Sequence, residues 1–384
     1  MMKYYSTQAE ASTLTKENEF SKKLSQSIIG AKIKLQQIVK INAFTAISSI
    51  EEWEKLNFSF EQNLNSIFKN RCPAHCLVSQ PSSNRSLISI EIIYLDDLSQ
   101  TLITHKKYQG HSYTLISHND QKIIFSGGIT FPSSDQFLLS VQHAFDLAEQ
   151  LLDNEEMNFS NVVRQWNYIE NLLGLEKQAG QRLQRYQIFN EVRSFYYDPA
   201  IFKQGFPSAT GIGCKTAGIT IDFIAGTNLN ISPIKSPVQE DAYKYSEKVL
   251  EGDALNKTQK RPPFFERANF VSLLDQETIF ISGTAAIEGE ESIKSLDISA
   301  QTTHTIENIK SLITKTNLQS NNIEGEPLDI LDMVRVYVKH ETDADTVEHL
   351  VKTCLPASNY TFVQSDICRD NLLVEIEGIA SVKS

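Results

Sequence analysis

One order of elements occurs twice in this sequence, and a chain that repeats itself in this way is confined to repeated folding units. In the first copy YTLISHNDQKIIFSGGIT, residues 113–130, reads as a β-hairpin with HNDQ at its turn. FLLSVQHAFDLAEQLLD follows a Ser-Ser-Asp start with apolar residues at helical spacing, so an amphipathic helix is predicted. NVVRQWNYIENL, residues 161–172, then reads as a strand, and QRLQRYQIFNEVRSFYY as helical. The copy closes on FPSATGIGCKTAGITIDFIAG. In the second copy ANFVSLLDQETIFISGTAAI is the hairpin, SAQTTHTIENIKSLITKT the helix and LDMVRVYVKHET the strand. Ser126-Gly127-Gly128 matches Ser282-Gly283-Thr284, Arg164 matches Arg335, and GITIDFIAG matches LVEIEGIA. The spacing is nearly the same at both ends. Two such units imply two similar α+β domains, each with a helix on one sheet face and the other face free to pack on its sister.

The expected boundaries are an N-terminal extension over 1–80, a first domain over 81–230 and a second over 231–384. SLISIEIIYLDD, residues 86–97, is read as a strand of the first domain. Residues 1–20 are polar and expected to fray. Residues 24–50 fit either a helix or a strand pair, and the loop-forming residues of 228–237 suit a boundary.

The copies differ at one chemically loaded place. In DNLLVEIEGIA the period of two puts Glu375 and Glu377 on one face of what reads as an edge strand, about 7 Å apart. Cys368 and Arg369 stand just upstream. The first copy has Thr220 where the second has Glu375, and Asp222 where it has Glu377. An acid in one copy only implies one asymmetric site in the second domain. Glu375 between Val374 and Ile376 has two reasons to keep its proton, burial and a neighbouring carboxylate. A net charge of −11 argues against a nucleic-acid or anionic-membrane partner. An anionic ligand would therefore need clustered cations, for which Arg193, Lys244 and Arg267 are candidates. Cys72-Pro-Ala-His75-Cys76 lacks a second ligand pair at a spacing suited to zinc, so no metal is expected. Five scattered cysteines, no apolar leader and no long apolar run point to a cytoplasmic protein.

The hairpin, ISGTA, helix and VEIEGIA series resembles the reactive-intermediate deaminase fold (RidA, YjgF-like), whose architecture is also chorismate mutase-like. Members of that family are enamine or imine deaminases acting at trimer interfaces. The Arg they carry at the entry to the preceding strand falls on Tyr360 here, which counts against that activity. A resemblance over residues 160–384 is to the chorismatases, double-length relatives of that fold. It rests on VVRQWNYIENL, RYQIFNEVR, FPSATGIG, AYKY, RPPFFERA, ISGTAAIEGEES and DICRDNLLVEIEG in the same order. The resemblance implies cofactor-free cleavage of chorismate, a small dianion, to pyruvate and a hydroxybenzoate or a dihydroxycyclohexadiene carboxylate, in aromatic secondary metabolism. It makes Glu375 the catalytic acid and places Cys368 in the site. It also implies that Arg193, Tyr186, Tyr243, Lys244, Arg267, Gly283 and Ala285 contact substrate, in a monomer or trimer. The departures are Lys244 for an Arg, Ser246 for a Pro, an insertion over 246–259, and Ala285 and Cys368 drawn from different product branches. The rival expectations are a RidA-type deaminase and a non-catalytic binding protein for a small carboxylate.

Overall fold

The computed structural model describes all residues except 17, 70, 133–135, 179, 256–257, 328 and 384. Its N-terminal part is a folded unit: β1 (Met2–Glu10), α1 (Glu19–Gly30), β2 (Ile38–Phe44), α2 (Ile50–Phe68), β3 (Ala74–Val78) and β4 (Leu87–Leu95). The sheet order is β1-β4-β2-β3, with β2 and β3 parallel and the other pairs antiparallel. Ser49 caps α2 by accepting from the Glu52 amide, with Glu51 and Glu52 in the first turn. Phe20, Leu24, Ile28, Phe60 and Leu64 bury the two helices against the sheet. The stretch expected to fray is therefore β1, and the ambiguous run beyond it divides into the rest of α1 and β2. Met2 and Tyr4 are the buried side chains at the start of β1. Two apolar contacts leave too faint a period to read, and pairing with β4 supplies the rest. The strand assigned to the first domain, β4, pairs with β1 and β2 instead.

The second unit runs β5 (Thr101–Tyr108), β6 (His111–His118), β7 (Gln121–Ser126), α3 (Phe137–Asn154), β8 (Val162–Glu170), α4 (Arg185–Tyr196), β9 (Ser208–Cys214) and β10 (Ile219–Thr227). The Ser-Ser-Asp start proposed for α3 lies outside the described residues. The third unit runs β11 (Asn230–Ile234), β12 (Ala268–Leu273), β13 (Gln276–Ala285), α5 (Ile298–Leu312), β14 (Met333–Val338), α6 (Ala344–Cys354), β15 (Tyr360–Gln364) and β16 (Val374–Lys383). The segment expected to be a boundary loop contains edge strand β11, where Pro233 costs no ladder bond it would need at the centre of a sheet.

Strand order is the same in all three units: β1-β4-β2-β3, β7-β10-β8-β9 and β13-β16-β14-β15. In each, the third and fourth strands of this order are parallel. The first unit lacks the leading hairpin strand that β6 and β12 provide, and with it the hairpin that made the other two legible. The sheet faces turned away from the helices meet in one shared core containing Phe44 and Ile93, Phe125 and Trp166, Phe280 and Tyr337.

Two details of register position the site. β16 is central, between β13 and β14, and not an edge strand. Ala285 and Tyr337 flank Glu375, and Arg335 pairs with Glu377. In the second unit Trp166 stands opposite Asp222, so Trp166 and not Arg164 occupies the place of Arg335. Among the described residues no helix is long and apolar enough to cross a membrane.

Candidate active site between the second and third units

A cleft of about 690 Å³, mouth included, opens between β9 and α4 on one side and β13 and β16 on the other. Glu375, Gly283 and Ala285 form its floor in the third unit, and Ala209, Gly211 and Tyr186 face them from the second. Cys368 and Arg369 reach it from the loop before β16, and Arg267 from the segment before β12. Close approach demands glycine at 283, because a Cβ there would stand 2.0 Å from Glu375 Oε1. The same residue sits in the irregularity between Ile281 and Thr284 that breaks the β13–β16 register.

The two carboxyls of β16 live in different surroundings. Glu375 is 4% exposed, and no side chain among the described residues donates a hydrogen bond to it. Burial, then the charge of Glu377, raises it to about 8, against the pull of Arg164 and Arg267. Glu377 is as buried, yet it is held below its ordinary range. Burial raises it, but Arg335 and Arg164 outweigh that, helped by Thr210 and Trp166. Arg335 Nη1 donates to Glu377 Oε1 at 2.7 Å and Arg164 Nη2 to Oε2 at 2.7 Å. Trp166 Nε1 donates to Oε1 at 2.7 Å, and the Tyr337 hydroxyl donates to Oε2 at 3.2 Å. One strand thus presents a protonated acid to the cleft and an ionised one to the core. The Cys368 thiol is pushed up to about 12 by burial and then by Glu375, so it is neutral and not a base.

Cations gather on the opposite side. Arg267 is nearly buried and donates from Nε and Nη2 to the Glu240 carbonyl and from Nη2 to the Tyr245 hydroxyl. The guanidinium groups of Arg267 and Arg369 each lie 5.4 Å from the centre of the Tyr245 ring. Burial raises Tyr186 above the ordinary phenol range, so it is a donor at neutral pH.

Of the residues expected in the site, Glu375, Cys368, Tyr186, Arg267, Gly283 and Ala285 line one cleft. Three others are placed elsewhere. Arg193 is buried behind Tyr186, with Nη2 donating to Asn190 and its guanidinium over the rings of Phe189 and Tyr197. Lys244 is exposed and paired with Asp241 at 2.8 Å. Tyr243 packs on Phe206, which in turn packs on Phe264, and its hydroxyl accepts from Lys235 and donates to Asp241. The 3-10 turn over Ala242–Lys244 explains this shift, since it sends Tyr243 into an aromatic cluster, Lys244 to solvent and Tyr245 to the cleft. Tyr245 and Arg369 are thus among the lining residues that the sequence reading left out, as is the carboxylate-bearing Glu251. Arg369 stood in the DICRD motif, and nothing local distinguishes Tyr245 from Tyr243. Cys72, His75 and Cys76 lie in or beside β3, and among the described residues no three His, Cys, Asp or Glu side chains converge as a metal site would require.

Comparison with known proteins adds the relatives. Two family models match, "Chorismatase FkbO/Hyg5-like, N-terminal" over residues 102–225 and "Endoribonuclease L-PSP" over 263–382. A 3-hydroxybenzoate synthase of Streptomyces hygroscopicus is 27% identical over 282 residues, spanning 72% of this chain and 77% of that protein. A chorismatase of Streptomyces rapamycinicus is 31% identical over 230 residues, spanning 59% of this chain and 65% of that one. A chorismatase crystal structure superposes with a TM-score of 0.72 at 20% identity, covering 99% of both chains, and so shares the fold. With a RidA/YjgF-like architecture and these matches along its second and third units, the chain is similar to the chorismatases in sequence and shares their fold.

Proposed function

We propose that the chain cleaves the enolpyruvyl ether of chorismate, releasing pyruvate and either a hydroxybenzoate or the dihydroxycyclohexadiene carboxylate. The observation that carries this is a carboxyl raised to about 8 at the floor of a cleft whose far side holds two guanidinium groups. The names of the relatives, a 3-hydroxybenzoate synthase and chorismatases, support the same substrate. In this reading Glu375 donates its proton to the terminal methylene of the enol ether, leaving an oxocarbenium at the ether carbon. Water adds there and returns a proton to Glu375, and the hemiketal collapses to pyruvate and the ring diol. In the aromatising branch the ring diol then loses a C–H proton to solvent together with the neighbouring hydroxyl as water, which returns the water added, so the net products are pyruvate and a hydroxybenzoate. Neither route transfers electrons to an acceptor, so no redox group enters the balance.

Arg267 and Arg369 would bind the substrate's carboxylates, and Tyr186 would donate to one of them. Arg193 supports Tyr186 from behind. Ala285 and Cys368 bound the ring, and a neutral thiol shapes that pocket without taking a proton. Both described walls come from one chain, which supports the reading that the monomer is active. The five cysteines are unpaired, which suits a reducing cytoplasm.

The test is incubation of the purified chain with chorismate, with and without EDTA, following pyruvate enzymatically and the ring product by chromatography. Stoichiometric pyruvate and ring product in both samples is the expected result. No pyruvate sinks the assignment, and activity lost to EDTA and restored by zinc sinks the metal-free route.

A further inference from the structure

Beneath the cleft lies a buried charge cluster assembled from all three units. Arg335 on β14 is shared between two carboxylates. It donates from Nη1 to Glu377, as above, and from Nε to Glu91 Oε1 at 2.9 Å, with Nη2 on Glu91 Oε2. Glu91 belongs to β4 of the first unit and is buried. Arg164 on β8 of the second unit closes the cluster on the other oxygen of Glu377. Beside it Lys40 and Asp222 form their own buried pair.

The charges balance in one protonation state. Two guanidiniums, Arg164 and Arg335, meet two carboxylates, Glu377 and Glu91, and the cluster is neutral only while Glu375 is protonated. Ionising Glu375 would leave an excess negative charge in a water-poor core, which is strongly disfavoured. Take Glu91 away, and the excess becomes positive and favours the ionised form of Glu375. Glu91 is absent from the cleft lining, so it can act only through Arg335 and Glu377.

We propose that Glu91 is a positioning residue for the cleft acid: by neutralising Arg335 from the first unit it keeps Glu375 in its proton-donating form. This makes the N-terminal unit part of the site's electrostatics. The other groups facing Glu375 are Glu377 on its own strand, Tyr337 opposite it on β14, and Arg164 on β8, while Arg335 is coupled to it through Glu377. From the remaining elements come Tyr186 of α4, Tyr245 and Glu251 of the segment between β11 and β12, Arg267 before β12, and Cys368 and Arg369 of the loop before β16. None of these is altered by a change at Glu91.

The proposal rests on Glu375 being the acid of the proposed reaction, but its test has a readout that needs no substrate. The infrared band of the protonated Glu375 carboxyl, identified by its loss in Glu375→Gln, is titrated in the full chain, together with the pH profile of chorismate turnover. In Glu91→Gln both midpoints should fall by about one pH unit, the size of shift an added nearby opposite charge produces. KM at low pH should be unchanged. Arg335→Gln should move the midpoint upward, and the double variant should return it to the wild-type position. A neutral pair replaces a charged one in the double variant, so it remains testable if Glu91→Gln alone does not fold. A midpoint unmoved by Glu91→Gln, or lowered alike in all three variants, overturns the proposal. A shifted band without any chorismate turnover in the wild type would leave this inference standing and sink the substrate assignment.

Discussion

At the scale of single residues, the site is an acid kept protonated by its surroundings. Glu375→Gln keeps shape and removes the proton, so kcat should fall by about 10²–10⁴-fold with KM little changed, measured by pyruvate release. Near-normal turnover would exclude Glu375 as the donor. With Glu375 titrating at about 8, kcat/KM should be flat below that pH and decline above it. The same shift has a stability sign. The ordinary carboxyl titrates near 4.5 and Glu375 at about 8, so between them the folded chain holds a proton that the unfolded chain has lost. Its contribution is full below about 4.5 and is lost as pH rises toward 8. Glu375→Gln should therefore gain Tm relative to wild type progressively across that window, and a constant difference would contradict the raised value. Gly283→Ala should fold yet lose most activity, because its Cβ displaces the Glu375 carboxyl, which it would approach to 2.0 Å, more closely than it approaches Thr210.

At the scale of elements, strand register and loop entry decide what reaches the cleft. A period of two in β16 predicted that Glu375 and Glu377 share a face, and both do project from that face of the sheet. Their opposite protonation was not legible, because it depends on Arg164 and Arg335 arriving from two other strands. The 3-10 turn at Ala242–Lys244 is a similar case: three consecutive aromatic or basic residues point three ways, and only the packing of Tyr243 on Phe206 sets which way. The loop before β16 carries Cys368 into the cleft with its thiol neutral. Cys368→Ala should preserve pyruvate release and shift the ring product toward the diene diol, read by chromatography. An unchanged product ratio would remove Cys368 from product choice while leaving Glu375 untouched.

At the scale of the whole molecule, three units of one topology pack around a shared core, and one of the interfaces between them holds the acid. Among the described residues the first unit contributes no side chain to the cleft lining, yet its Glu91 binds Arg335 and its Phe44 lies under the same guanidinium, 4.9 Å away. Deleting residues 1–95 would leave Arg335 and Arg164 sharing Glu377 alone, an excess buried positive charge, and strip β14 and β10 of their packing. The truncated chain should be insoluble or lack a cooperative melting transition in calorimetry, whereas a folded and active truncation would show the first unit to be dispensable.

What the amino-acid sequence determined by itself is periodic and local. Alternation and helical spacing identify the hairpins, α3, α5 and the strand that carries Glu375, and the matched copies identify the α+β units, since these signals repeat within a few residues. The first unit escaped because β1 buries only Met2 and Tyr4 at its start and has no hairpin partner to mark it. Tertiary structure alone decided that β16 is central, that Tyr245 and Arg369 reach the cleft while Tyr243, Lys244 and Arg193 do not, and that Glu91 meets Arg335 from a distant part of the chain. Those outcomes are electrostatic and steric sums over groups far apart in sequence. Such sums exist only once three sheets bring their faces together and exclude water.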